Sequence, residues 1–168
     1  MKRKDIVGVA LAMFVLAIGG VIWLAPWQGQ AAPEAHFTTL EGEQFKLSEL
    51  RGQPVLVTFW ATSCPSCITE IPHLKDLYRE LAPKGLKIFG VAMSYDPPQQ
   101  VAAMAAERDM FYPVVLDSDE AIARAFGDIR LTPTSVLIDP EGRIVWRRLG
   151  ELNMPQVRQQ IVDMLTAG

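Results

Sequence analysis

The chain has only two cysteines, Cys64 and Cys67, and they stand three residues apart. They follow an apolar run, Val55-Leu56-Val57-Thr58-Phe59-Trp60, that reads as a buried strand, and a helical pattern comes after them. A cysteine pair at the mouth of a strand-to-helix turn points to thiol–disulfide redox chemistry. With a helix starting near Cys64, its free backbone N–H groups and the positive end of its dipole face that sulfur. Both favour thiolate over thiol, so the Cys64 pKa is expected below that of a free cysteine. Pro65 suits the first helical turn, where its missing N–H is no loss. Cys67 lies one turn further in and is expected to be less exposed. Cys64 is therefore the expected attacking sulfur and Cys67 the resolving one. A zinc half-site and a structural pair are the competing readings. Zinc takes four ligands, and the chain offers only His36 and His73 beside its two cysteines. On an ideal helix, at about 100° per residue, His73 falls on the side opposite Cys64. Redox chemistry is the favoured reading, with no metal and no cofactor expected.

The elements that position this pair begin with the chain's overall make-up. Its 168 residues suffice for one domain and an appendage, and a net charge of −3 with scattered basic residues offers no nucleic-acid surface. Residues 1–5 form a basic tip with Lys2, Arg3 and Lys4. Residues 6–24 are apolar and uncharged. At ~1.5 Å per residue they span ~28 Å, close to the ~30 Å hydrocarbon core of a bilayer. They read as a single-pass transmembrane signal-anchor, with residues 25–35 as a linker and residues 36–168 as the exported domain. The positive-inside rule keeps the N-terminus in the cytoplasm, and Trp23 and Trp27 suit the far interface. A cleaved signal peptide, with Gly29-Gln30-Ala31 as its site, is the competing reading, although the apolar stretch exceeds the usual h-region. Exported thiols meet an oxidising compartment. A domain of this size has core enough not to need a staple.

The exported part reads as alternating strands and helices. Phe37–Leu40 and Glu43–Leu47 suggest a hairpin around Glu41-Gly42, followed by a helical turn over Ser48–Gly52. After the strand to Trp60, a helix over Cys64–Leu81 buries Ile68, Ile71, Leu74, Leu77, Tyr78 and Leu81 on one face, and Pro72 predicts a kink in it. A strand over Leu86–Met93, a helix over Gln99–Arg108 and a short strand Val114–Leu116 come next. A helix over Asp119–Phe126 is expected to be capped by Asp117 or Ser118 and ended by Gly127. Thr134–Ile138 and Arg143–Arg148 form a hairpin about the Asp139-Pro140-Glu141-Gly142 turn. Asn153 caps a last helix. This order predicts an α/β sandwich closed by an antiparallel hairpin.

The segment Val57–Cys67 resembles the strand-to-active-site segment of the thioredoxin superfamily. Pro72, Thr132-Pro133-Thr134, the Asp139–Arg143 turn and the inserted Gln99–Leu116 segment make the chain similar to its membrane-anchored TlpA/ResA-like branch over about residues 35–168. The resemblance implies a thioredoxin-like α/β fold: a central mixed sheet flanked by helices, with an N-terminal β-hairpin and an inserted helix/strand segment. It also implies a cis peptide before Pro133, which Thr-Pro-Thr alone leaves even with trans. In the family that loop lies against the cysteines, and Thr132 presents backbone to an incoming extended chain. Trp60, Pro65, Thr132 and Pro133 are the implied substrate-binding residues. Glu70 lies one turn after Cys67 on roughly the same helix face. Spacing alone reads it as a solvated glutamate. The resemblance places it near the thiols, where a carboxylate raises thiol pKa and relays the resolving thiol's proton. Two positions depart from the pattern. Ser63 stands where many relatives have Trp, and Thr58 where thioredoxins have a buried Asp.

The resemblance implies a periplasm-facing disulfide reductase in the bacterial inner membrane, recharged by a transmembrane thiol carrier. Its implied substrates are the haem-binding cysteines of apocytochrome c or the copper-site cysteines of an oxidase assembly factor. A disulfide-donating oxidase and a non-enzymatic copper or haem-assembly chaperone remain as alternatives. A peroxidase does not fit. The peroxidatic pattern wants Thr or Ser three before the cysteine and Pro seven before, where Cys64 has Ala61 and Val57, and Cys67 has Cys64 and Trp60.

Overall fold

The computed structural model describes residues 29–167. The expected basic tip and membrane helix lie outside them, and among the described residues no helix is long and apolar enough to cross a membrane. Strands β1 (His36–Thr38) and β2 (Gln44–Lys46) pair antiparallel, and a 3-10 turn over Leu47–Leu50 follows. β3 (Val55–Trp60) is buried at every position. It runs parallel to β4 (Lys87–Ala92) and antiparallel to β6 (Thr134–Ile138). β5 (Val114–Leu116) pairs parallel with β4, and β7 (Ile144–Leu149) antiparallel with β6. The mixed sheet has the order β5-β4-β3-β6-β7. A central strand covered on both faces carries a continuous apolar run rather than an alternating one, as Val55–Trp60 does.

Successive side chains of β3 point to opposite faces and so divide the core. Leu56 and Trp60 face one cluster with Cys67, Leu74, Leu81, Val157 and Ile161. That face is covered by α1 (Pro65–Leu81), α2 (Pro98–Glu107) and α4 (Met154–Ala167). Val55, Val57 and Phe59 face a second cluster with Phe37, Phe89, Ile122 and Phe126. The β1–β2 hairpin and α3 (Ala121–Ala125) close that side. Fully burying such aliphatic and aromatic side chains stabilises by roughly 1.5–3 kcal/mol each.

Two sequence expectations change. The helix expected over Asp119–Phe126 is shorter, because Glu120 takes a left-handed conformation (φ 59°) and delays the first turn. Asp117 still caps it, from further back: its buried carboxylate accepts from Ile122 N–H at 2.9 Å and Ala123 N–H at 2.8 Å. The described part of the expected linker is docked rather than free. Gly29 N–H donates to the Ile144 carbonyl, Ile144 N–H to that of Gln30, and Ala32 N–H to that of Gly142. Ala35 is buried. The unpaired edge at the start of β7 draws this segment in, since a bare strand edge leaves backbone groups without partners.

Candidate active site

Cys64 is the N-cap of α1, with extended backbone (φ −98°, ψ 104°), and Pro65 opens the helix. Its carbonyl accepts the first helical bond, from Ile68 N–H at 3.2 Å. Its Sγ accepts from Cys67 N–H at 3.2 Å and lies 3.5 Å from Ser66 Oγ. A helix N-terminus aimed at this sulfur favours negative charge on it. The two cysteines are joined in a disulfide with their Cα atoms 5.3 Å apart. Cys64 is 9% exposed and Cys67 3%, so the outer sulfur is the one an incoming group can reach.

The loop ahead of Cys64 is held from a neighbouring strand end. The Asp96 carboxylate, in the connection between β4 and α2, accepts from Thr62 N–H at 2.6 Å and Thr62 Oγ1–H at 3.1 Å. In the sequence, Asp96 reads only as part of the Asp96-Pro97-Pro98 turn. Its one signal is its place at the end of the strand beside β3. Across the cleft the Thr132–Pro133 peptide is cis. That loop is fixed by Thr134 Oγ1–H donating to the Leu131 carbonyl at 2.6 Å, and by Gly150 N–H donating to that of Pro133 at 2.8 Å.

Behind Cys67 lies a narrow closed crevice lined by Thr58, Trp60, Glu70, Tyr112 and Pro133 among others. Pro65 is exposed and Thr132 half-buried, both open to a docking chain. Trp60 is 4% exposed and forms a wall of the crevice. It ends a strand that is covered on both faces. Thr58, standing where thioredoxins have an aspartate, is buried and accepts from Ser135 Oγ–H at 3.1 Å. No carboxylate enters from that strand position.

Glu70 is not the solvated helix residue its spacing suggests. It is 4% exposed, and its Oε1 accepts from Leu152 N–H at 2.7 Å. Burial pushes its carboxyl above the ordinary value. The Leu152 hydrogen bond opposes that, the Glu151 charge adds to it, and His73 opposes it. The same side chain also lines a groove of about 970 Å³ between α1 and α4, shared with His73, Leu77, Glu80, Glu151 and Arg158. Glu70 thus stands between the Cys67 crevice and an open groove. Among the described residues no three His, Cys, Asp or Glu side chains gather so as to hold a metal ion.

The Redoxin family profile matches residues 28–162. The chain belongs to the Redoxin family. Within that family it is a TlpA/ResA-like thiol–disulfide oxidoreductase. Thiol-disulfide oxidoreductase ResA of Bacillus thuringiensis is 33% identical over 138 residues, covering 82% of this chain and 76% of its own length. ResA of Halalkalibacterium halodurans is 34% identical over 131 residues, covering 78% and 73%. A thiol:disulfide interchange protein of Chlorobium tepidum superposes with a TM-score of 0.74 at 27% identity, covering 82% of this chain and 97% of its own. StoA of Bacillus subtilis superposes at 0.67 with 25% identity, covering 76% and 96%.

In this ResA-like oxidoreductase the geometry divides the labour between the sulfurs. The outer, helix-capping Cys64 is placed to exchange with a disulfide in another molecule. The inner Cys67, one helical turn on, is placed to exchange with Cys64 and close or open the internal disulfide.

Proposed function

We propose that this protein is a membrane-tethered, periplasm-facing disulfide reductase of the bacterial inner membrane. Residues 6–24 supply the anchor. Reduced Cys64 attacks a substrate disulfide and forms a mixed disulfide, and the other substrate cysteine leaves as a thiol. Cys67 then attacks Cys64 Sγ, which frees the second substrate thiol and closes the Cys64–Cys67 bond. A transmembrane thiol carrier returns two electrons and restores the dithiol. The substrates are protein disulfides: the haem-binding cysteines of apocytochrome c, or the copper-site cysteines of an oxidase assembly factor. An extended substrate segment lies along Thr132 and Pro133, close to Pro65.

The observation that carries this reading is the buried Glu70 carboxyl beside Cys67. With its proton affinity raised, it is suited to take the Cys67 proton as that sulfur attacks, and to release it to the α1–α4 groove. The thiol state in intact cells, read by mass-tagging alkylation, tests the direction of electron flow. Cys64 and Cys67 are expected to be mostly reduced in a compartment that oxidises other thiols. A pair that stays oxidised when candidate donors are overproduced would make the protein a disulfide-donating oxidase. Replacing both cysteines is expected to lower c-type cytochrome content or oxidase activity. Unchanged levels of both would remove those substrates.

A further inference from the structure

Trp60 Nε1 is the one buried side-chain nitrogen or oxygen among the described residues that lacks a hydrogen-bond partner. An indole N–H can only donate, and leaving it buried and unmade is costly. Its place is therefore informative. Trp60 shares the closed crevice with Cys67, Glu70 and Tyr112, and that crevice is too tight for a water molecule to bridge. The ring is also pinned. A Cβ on Gly90 would lie 3.4 Å from Trp60 Nε1 and 2.9 Å from the Tyr112 ring, so the indole edge and the phenol pack directly over glycine backbone.

The polar groups lining the crevice differ in what reduction does to them. Thr58 Oγ1 already accepts from Ser135, and Glu70 Oε1 from Leu152 N–H. Among the crevice groups, Cys67 is the one whose own bonding reduction changes. A disulfide sulfur accepts weakly, whereas a thiolate is charged and makes the stronger class of hydrogen bond. An incoming dithiol breaks the Cys64–Cys67 bond, places two electrons on the two sulfurs and is itself oxidised to a disulfide. Two protons balance the step, and whenever Cys67 is a thiolate it needs a donor.

We propose that the Trp60 indole N–H is a redox-linked donor, unpartnered while the disulfide is closed and hydrogen-bonded to the Cys67 sulfur once it opens. The bond stabilises the reduced form, and the orphaned N–H destabilises the oxidised one. Both effects move the equilibrium the same way. This depends on thiol–disulfide exchange alone and holds for either direction of electron flow.

The test is made on the full-length protein, 15N-labelled in detergent micelles. Of its four tryptophan indoles, that of Trp60 is assigned by its loss in Trp60→Phe. If that variant does not fold, Trp23→Phe, Trp27→Phe and Trp146→Phe assign it by elimination. The Trp60 indole proton is expected to move downfield on reduction with dithiothreitol. Trp60→Phe is expected to shift the thiol–disulfide equilibrium about tenfold toward the disulfide, equivalent to a potential ~30 mV more negative, and to raise the Cys67 thiol pKa. An indole resonance that is the same in both redox states overturns the proposal. So does an equilibrium constant for Trp60→Phe within about twofold of the native protein's, on that same tenfold scale.

Discussion

The Leu152 N–H donates to Glu70 Oε1 at 2.7 Å, joining the segment that leads into α4 to the helix that carries both cysteines. The bond spans 82 positions of sequence and is buried. It fixes the carboxyl at the boundary between the Cys67 crevice and the α1–α4 groove. One Glu70 oxygen is thereby committed to that bond.

Glu70 should leave a mark on stability as a function of pH. Burial holds its folded-state pKa above the ordinary 4.5. The folded protein therefore binds this proton more tightly than the unfolded chain. The stabilisation is complete below the unfolded value and is lost as pH rises through the folded one. Glu70→Gln removes the titration, so the fall of stability with rising pH above ~4.5 should flatten. Urea melts at a series of pH values check this, and an unchanged slope would assign the effect to another group.

The two sulfurs should separate cleanly in kinetics. Cys64→Ser removes the only accessible nucleophile of the pair and should lower disulfide exchange by roughly 10³-fold or more. Cys67→Ser keeps the attack but removes the resolving step, so a mixed disulfide through Cys64 should accumulate. Non-reducing gels and intact-mass measurement detect it. Rapid turnover by Cys67→Ser would show that the inner sulfur is not needed.

Asp96 should be a positioning residue for the loop ahead of Cys64. Asp96→Ala removes the acceptor of two Thr62 donors, its backbone N–H and its hydroxyl. A charge-assisted hydrogen bond contributes about 1.5–3 kcal/mol. A loss of that order is expected in chemical denaturation, together with slower exchange at Cys64. Asp96→Asn keeps an acceptor and should recover part of both.

What the sequence made legible follows from which forces are local. Val55–Trp60, Val114–Leu116 and Thr134–Ile138 form strands with the bounds their apolar runs suggest, because burial on both faces leaves a continuous signal. α1 starts where Cys64-Pro65 places it, since N-cap chemistry is written in adjacent residues. Glu70 was ambiguous because its burial is decided by Leu152, far along the chain. Asp96 went unmarked for the same reason, as its partner lies on another strand's exit loop. The burial of Trp60 was legible, because it closes the same continuous apolar run. Gln30 and Ala32 look like linker because their hydrogen bonds to β7 and its turn are made by backbone alone.

Gly90 should be intolerant of even one added carbon. It lies opposite Thr58 in the β3–β4 pairing, on the sheet face that carries the cysteines. A Cβ there would meet Tyr112 Cε2 at 2.9 Å and Trp60 Nε1 at 3.4 Å. Neither ring can retreat without repacking the buried cluster beneath α1, to which both belong. The intrinsic preference runs the other way, because alanine lowers the conformational entropy of the unfolded chain relative to glycine. Overpacking a close-packed core costs about 1–3 kcal/mol, which exceeds that gain of ~0.4–1 kcal/mol. Gly90→Ala should therefore lower the melting temperature by about 3–8 °C. The displaced rings should also perturb the crevice behind Cys67, so the thiol–disulfide equilibrium should shift along with stability. A variant as stable as the native protein would mean that Tyr112 moves freely, and that the crevice is softer than its packing indicates.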